Sequence, residues 1–563
     1  MSAPASTALN PLRSADPNDL FTRLEQLNDI GASLSQERNL DALLEKILLA
    51  AQRITHADGG TLYLVEKEGN AQRLRFAIVR TESLNVALGG TTGNPIPYYP
   101  IHLQKNGCPN NSMVAAYAAL HGCTVNIADA HAEAGFDFTG TRSFDEKHGY
   151  RSKSFLTVPM RDHEGEVIGV LQLINAIDPE TGEITAFSRA DQQLVESLAS
   201  QAAIAINNRQ LISQLEKLFE SFIGLINSAI DEKSPYTGGH CQRVPVLTMM
   251  LAEAAASATS GPLRDFSMTP EDRYELHIAG LLHDCGKITT PVHIVDKATK
   301  LQTIFDRIHL IDTRFEVLKR DAEIDALQRK LKLLTPTSGN PPTQRSEADR
   351  IDQELHEQLR QLEDDRQFLH RCNIGSESMS PEEQARVADI GKRYRWRDVT
   401  GHTVHFLTDD EIKNLSIPHG TLTDDEREII NYHIVSTINM LESLPWPKHL
   451  RNVPEFAGGH HERMDGRGYP RGLKGDQMSV QARVMAIADI FEALTAKDRP
   501  YKRGKTLSES LQILGKFKLN GHIDPDLFDI FIREKVYLRY AEQFIDREQI
   551  DEVDESRIPG YDG

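Results

Sequence analysis

Seven ionisable side chains stand where burial would be costly. His240 in YTGGHCQRV, His283 and Asp284 in LLHDCGK, His433 in NYHIVSTINML, His460 and His461 in GGHHERMDG, and Asp489 in AIADIFEALT lie in or beside apolar, helix-spaced stretches. An imidazole or carboxylate taken into an apolar interior without a partner is strongly destabilising. A single residue of this kind is usually a satisfied core group. Seven on successive helices constrain the fold much further, because the helices have to bring them together, and metal coordination satisfies them all. Imidazoles and carboxylates without a thiolate motif suit borderline divalent metals, Fe or Mn first, with Zn and Ni also compatible. The adjacent pair His283–Asp284 points to two ions, since a carboxylate can bridge two while its neighbouring imidazole binds one. Two ions bridged in this way activate a water and clamp the oxygens of a phosphodiester. Lys287, three residues beyond Asp284, shares its helical face. A cation there neutralises charge developing on phosphate.

The rest of the chain divides around this helical half. Its 563 residues correspond to roughly three to four domains. The start, MSAPASTALNPLRSADP, has no apolar signal core and reads as a disordered lead-in over 1–16. Residues 17–54 carry helix-spaced apolar positions, among them Phe21, Leu24, Leu27, Leu40, Leu43, Leu44, Ile47 and Leu48. Strand signals follow: GGTLYLVE, then RLRFAIVR with Leu74, Phe76 and Ile78 expected on one face. SFLTVPMRDHEGEVIGVLQLINA reads as a hairpin turning at Glu164-Gly165. A long helix is expected from near Ser188. This order describes a small-ligand sensor better than a catalytic domain.

Leu211, Leu215, Leu218, Phe222 and Leu225 then alternate steps of four and three, a coiled-coil seam. It predicts a connecting helix over 207–232 that pairs two chains into a homodimer; packing on its own domain is the competing reading. From about 220 onward strand signals almost vanish. Two charged helix-periodic segments, 303–334 and 345–371, flank TPTSGNPPTQ and predict a helical hairpin inserted at about 300–420, its charges forming a solvated or dimer-packing face. The catalytic half is expected to run over 233–545, with an acidic tail at 546–563.

Composition excludes several classes. A net charge of −19 opposes binding of nucleic acid polymers, which depends on cations neutralising phosphates. A small phosphorylated ligand needs only a few local cations. No apolar run reaches the ~18 residues of a membrane helix, so no membrane association is expected. Five scattered cysteines without CxxC spacing fit reduced thiols in a cytoplasmic protein. Cys241 and Cys285, each following a candidate ligand, read as small buried fillers, with a redox role as the minority reading.

HDxGK at 283–287 and HHExxDGxGYP at 460–470 together resemble the double signature of the HD-GYP family, metal-dependent phosphodiesterases that hydrolyse the bacterial second messenger cyclic di-GMP. DIFEALTAKDRPYK and HIDPDLF extend the resemblance over roughly 220–540. The first half, 17–206, resembles a GAF domain. The implied fold is multidomain: an α+β GAF domain with an antiparallel sheet and flanking helices, a long connecting helix, and an all-α HD-type metallohydrolase domain with a helical insertion.

The resemblance implies that His240, His283, Asp284 and Asp489 hold one metal and that His433, His460, His461 and the bridging Asp284 hold the second. Lys287, Arg499 and Lys502 would contact substrate phosphates. Members with three metals carry an acidic residue one turn before the first histidine; here Tyr236 stands there, so two ions are expected. The loop of Gly468, Tyr469 and Pro470 would govern substrate access and contact with GGDEF-domain cyclases. Glu462 and Asp465 either orient the histidines or are solvated loop charges. Cyclic-nucleotide GAF domains carry Asn-Lys and later Phe-x-x-x-Asp-Glu; here Asn175, Phe187 and Asp191 remain, while Ala176 and Gln192 replace the Lys and Glu. A cyclic nucleotide, another small ligand, or capping by Asn and Asp alone stay open for them. The implied activity is conversion of cyclic di-GMP to pGpG, with pGpG or GMP left open as the end product. The alternatives are another cyclic dinucleotide such as cyclic GMP-AMP, or a non-catalytic adaptor that recruits cyclases through the GYP loop.

Overall fold

The computed structural model describes residues 17–69, 71–105, 107–234, 239–334, 341–375, 378–496 and 504–562. The lead-in 1–16 and the positions of Tyr236, Arg499 and Lys502 lie outside the described residues. Two compact units meet in sequence between Phe219 and Glu220.

In the first unit an antiparallel sheet runs, neighbour to neighbour, through Val86–Gly89, Ala71–Thr81, Ala57–Glu68, Val167–Ile177, Phe155–Arg161 and Val125–Ile127. The hairpin between Phe155–Arg161 and Val167–Ile177 forms as its apolar runs predict, with Gly165 supplying a φ of +83° in the turn. Helix Leu40–Thr55, capped by the Asn39 side chain on Ala42 N–H, lays Leu43, Leu44, Ile47 and Leu48 against one sheet face. Leu194, Val195, Leu198 and Ala202 of helix Arg189–Lys233 close the same core. The short helix Val114–His121 covers the opposite face.

The expected alternation of Leu74, Phe76 and Ile78 does not hold. Leu62 pairs with Ile78 and Tyr63 with Phe76, so Ala77 is an extra residue, a β-bulge. Leu74 and Phe76 therefore pack toward the Val114–His121 side, and Ile78 joins the core under Leu40–Thr55.

Helix Arg189–Lys233 runs unbroken through the expected connecting segment. Leu211, Leu215, Leu218, Phe222 and Leu225 are all exposed along it, between 45% and 65%.

Among the described residues, the second unit is helical apart from a short strand pair, Arg395–Arg397 with Thr403–His405. Capping boxes start several of its helices: Thr269 with Asp272 before Pro270–Leu282, and Thr423 with Glu426 before Asp424–Glu442. The insertion holds helices Ile308–Leu333, Pro341–Asn373 and Pro381–Arg393. Its charges pair across the hairpin, Lys319 with Glu363 at 3.0 Å and Arg329 with Glu354 at 2.8 Å. It is more than a solvated hairpin, however, because Phe315, Phe368, Leu369, Ile390 and Phe406 build an apolar core of their own. The acidic segment after 545 packs onto its unit: Asp551 accepts from Ser508 N–H, Gly560 O accepts from Lys518, and Ile558 is buried.

Candidate metal centre

The seven residues come from five places in the helical unit, with Asp284 beside His283, and the packing brings them together. His240 opens helix His240–Ala256, His283 closes Pro270–Leu282, His433 sits inside Asp424–Glu442, His460 and His461 follow Val453–Gly458, and Asp489 lies on Val480–Thr495. The approach depends on a glycine. A Cβ at Gly286, in the turn after Asp284, would lie 2.0 Å from His433 O and 2.5 Å from Thr437 N. Only glycine lets this turn press against the His433 helix, where Gly286 N–H donates to Thr437 Oγ1 at 2.9 Å.

Asp284, almost fully buried, faces two groups with its two oxygens. Oδ2 lies 3.2 Å from His240 Nε2 and 3.3 Å from His283 Nε2, and Oδ1 lies 3.3 Å from His433 Nε2. Asp489 Oδ1 adds a contact of 3.2 Å to His240 Nε2. Two sets of donor atoms result, His240–His283–Asp284 and His433–His460–His461, each within 4.8 Å.

The outer ring nitrogens fix the tautomers. His283 Nδ1 donates to Gly280 O at 2.7 Å, His433 Nδ1 to Ile430 O at 2.5 Å and His460 Nδ1 to Ala457 O at 2.6 Å. A neutral imidazole carries one N–H, so these three turn a bare Nε2 toward the centre. His283 Nε2 faces His240 Nε2 at 3.3 Å, and His433 Nε2 faces His461 Nε2 at 3.2 Å. His460 Nε2 is buried with no hydrogen-bond partner among the described residues. Nε2 atoms converging in two sets, with an orphaned buried acceptor among them, fit a pair of cations, one per set.

The charges agree. Burial, with His283 beside it, pushes His460 down to about 4, and burial with His460 alongside holds His461 well below the ordinary imidazole range. Both are neutral, metal-competent bases near pH 7. Burial opposes ionisation of Asp284 and Asp489, yet Lys287 and His283 hold the first, and His240 the second, well below the usual carboxylate range. Lys287 Nζ sits 2.5 Å from Asp284 Oδ2 and stays charged.

A cleft of about 440 Å³ adjoins the centre, lined by His460, His461, Tyr469 and Asp489 and by Arg463, Arg467, Lys505 and His522. Tyr469 stacks on His461, ring centroids 4.9 Å apart, and its N–H donates to His461 O. A Cβ at Gly468 would meet the Glu462–Arg463 backbone at 2.5 Å, so the loop folds back on its own start.

Glu462 and Asp465 do not orient histidines. Glu462 accepts from Arg471 N–H at 2.7 Å and Leu473 N–H at 2.9 Å, which closes the loop, and Asp465 pairs with Arg463. Outside the seven, the carboxylate that reaches one of these histidines is Glu492, whose Oε2 lies 2.5 Å from His240 Nδ1. Its signal in sequence is the i, i+3 spacing from Asp489. Cys241 and Cys285 are buried, and burial pushes their thiols up to about 12 and about 11, so they are inert fillers.

The three residues singled out in the first unit are employed internally. Asn175 Oδ1 accepts from Lys153 and Ser154 N–H, and its amide donates to Tyr150 and Arg151 O. Phe187 is in the core. Asp191 accepts from Ser188 and pairs with Arg23 at 3.0 Å.

A GAF domain model matches residues 39–206, and two HD domain models match 237–356 and 385–527. The chain joins a GAF domain to an HD domain. The GAF domain is the α+β unit with the antiparallel sheet, and the HD domain is the helical unit that holds the seven residues. Among curated relatives, the 3'3'-cGAMP-specific phosphodiesterase 1 of Vibrio cholerae is 46% identical over 81 residues, 14% of this chain and 19% of that protein. The cyclic di-GMP phosphodiesterase PA4108 of Pseudomonas aeruginosa is 38% identical over 114 residues, 20% of this chain and 26% of that protein. The dual 3',5'-cyclic-AMP and -GMP phosphodiesterase 11A of Takifugu rubripes is 29% identical over 214 residues, 38% of this chain and 21% of that protein. The chain thus spans roughly a fifth to a quarter of the length of these relatives.

Proposed function

We propose that the HD domain is a metal-dependent phosphodiesterase that hydrolyses cyclic di-GMP to linear pGpG, and onward to GMP, and that the GAF domain regulates it. The observation that carries this reading is Asp284, one carboxylate with an oxygen directed to each of two imidazole sets. His240, His283, Asp284 and Asp489 would hold one divalent ion, and His433, His460, His461 and Asp284 the other, Fe or Mn before Zn or Ni. Bound there, two such ions supply Lewis acidity to a phosphodiester and ease deprotonation of a water.

The chain's own residues do the rest. His460 and His461, held neutral by burial, and the ionised Asp284 and Asp489 can coordinate without giving up protons. Burial opposes a charge on His240, yet Glu492, Asp284 and Asp489 raise it well above the ordinary imidazole range, so it has a proton to release. Lys287, tethered to Asp284, is placed to meet charge that develops on a phosphate oxygen. Arg463, Arg467 and Lys505 give a cationic lining to the cleft of a chain whose net charge is −19, which suits a small ligand with two phosphates better than a polymer. Arg499 and Lys502 would add to that lining. Tyr469, stacked on His461, ties the GYP loop to the centre and so to substrate entry. The exposed seam on Arg189–Lys233 would pair two chains, and a GGDEF-domain cyclase is the further partner considered for the loop. None of the described helices is long and apolar enough to cross a membrane; we place the protein in the cytoplasm.

A second reading keeps the chemistry and changes the base: cyclic GMP-AMP, favoured by the 46% identity to the V. cholerae enzyme named for it. The test is metal content of anaerobically purified protein together with turnover of both dinucleotides, for wild type and Asp284→Ala. Two ions per chain with cyclic di-GMP cleavage, both lost in the variant, are expected. Faster cleavage of cyclic GMP-AMP would move the assignment to the second reading. Full metal content and turnover in Asp284→Ala would refute both.

A further inference from the structure

His240 differs from the other ligand histidines in what holds its outer nitrogen. His283, His433 and His460 donate from Nδ1 to neutral backbone carbonyls, each three residues earlier in the chain. His240 Nδ1 instead meets a carboxylate, Glu492 Oε2, at 2.5 Å. Glu492 is 1% exposed and belongs to the same helix as Asp489, three residues on. Val480–Thr495 therefore grips one imidazole at both nitrogens: Asp489 Oδ1 at 3.2 Å from Nε2 and Glu492 Oε2 at Nδ1.

A buried carboxylate needs its own counter-charge, and Arg243 provides it. Arg243 lies three residues beyond His240 on the helix packed against Val480–Thr495, and its Nε and Nη2 reach Glu492 Oε1 at 2.7 and 2.6 Å. The four side chains form a chain, Asp489–His240–Glu492–Arg243, with His-x-x-Arg on one helix and Asp-x-x-Glu on the other. A carboxylate behind a ligand imidazole fixes its tautomer and raises its basicity toward a metal, more than a carbonyl does.

We propose that Glu492, held by Arg243, is a positioning residue that makes the His240 set the tighter of the two metal sites. The proposal rests on the metal-centre reading of the seven residues. It makes the centre unequal: the first ion equivalent fills the His240–His283–Asp284–Asp489 side, and the His433–His460–His461 side fills second.

The test titrates metal-free full-length protein with Mn²⁺, following heat by calorimetry and the ion's state by electron paramagnetic resonance. Wild type is expected to bind two ions in two resolved steps. Glu492→Gln keeps size and one acceptor but removes the charge. It should weaken the tighter step by about ten- to a hundredfold and leave the other step in place. At intermediate Mn²⁺ the spectrum should change from a coupled pair to an isolated ion. Should Glu492→Gln fail to fold, Arg243→Met, which leaves the carboxylate but frees it, should shift the same step in the same direction by a smaller factor. Two steps at wild-type affinities in the folded variants would overturn the proposal, and so would equal weakening of both. A wild type that binds no Mn²⁺ would overturn the metal-centre reading itself. Turnover does not enter the readout, so a wrong substrate assignment leaves the result unaffected.

Discussion

Gly286→Ala is the substitution that most directly tests how the centre is assembled. The added Cβ would lie 2.0 Å from His433 O, where real Cβ contacts essentially never fall below 3.0 Å. Backbone blocks it on both near sides, so no side chain can swing away. The Asp284 turn and the His433 helix have to part by about 1 Å, an overpacking that costs about 1–3 kcal/mol. The Gly286 N–H bond to Thr437 Oγ1 stretches with it, at about 1 kcal/mol. Loss of glycine's freedom in the unfolded chain returns up to about 1 kcal/mol. The expected net destabilisation is about 2 kcal/mol.

The same displacement moves Asp284 Oδ1 away from His433, now 3.3 Å apart, when metal sites tolerate about 0.2 Å. Urea unfolding of the metal-free protein reads the first effect. Trp446, whose indole N–H donates to Leu441 O, reports on the HD domain once Trp396, the only other tryptophan, is changed to Phe. Metal analysis reads the second effect, expected as a fall from two ions to one. Thr437→Val, which loses the hydrogen bond without the clash, should lower stability by about 1–3 kcal/mol and keep both ions. An alanine variant within 0.5 kcal/mol of wild type that still binds two ions would refute the close-approach account.

Glu462→Ala should leave Arg471 and Leu473 N–H without their acceptor, at about 1–3 kcal/mol for each donor that stays buried. Faster amide exchange over 466–475 and a raised KM are expected, and unchanged exchange would count against the loop-closing role. Native protein treated with iodoacetamide at pH 8 should be labelled at the exposed Cys108 and Cys123. Cys241 and Cys285, with thiols near 12 and 11, should stay unlabelled until unfolding, as peptide mass analysis would record. Replacing Leu215 and Leu225 with Glu removes two exposed seam positions from the connecting helix. At about 1.5 kcal/mol or more each, it should weaken self-association by about a hundredfold or more; light scattering that finds one mass for both proteins would argue against pairing through this helix.

The cluster of seven was legible because imidazoles in apolar helical runs violate the usual pattern, and such violations stand out without a structure. Glu492 was harder to see. The second carboxylate of DIFEALT resembles a solvated helix position, and its partner Arg243 is far away in sequence. Reading the i, i+3 pairs of the two helices together would have exposed it. The Ala77 bulge escaped because a period-two pattern assumes an unbroken register. The insertion looked like charge alone because its core residues are thinly spread, with Phe315, Phe368 and Phe406 meeting only in the fold. Asn175 and Asp191 carried a family likeness in sequence, whereas the structure employs them in local hydrogen bonds.

The two ends of the insertion meet. Thr421 Oγ1 donates to Lys297 O at 2.9 Å, and Lys297 Nζ reaches Glu426 at 2.7 Å and Asn414 at 3.0 Å. Lys300, just inside the entry, is clasped by the carbonyls of Leu415 and Ile417 near the exit. Residues 300–420 therefore leave and rejoin the HD domain through one narrow doorway while carrying a core of their own. Because loop closure costs little more as a detour lengthens, such a doorway makes the segment an exchangeable cassette. A change of length there need not move the helices that carry the seven residues.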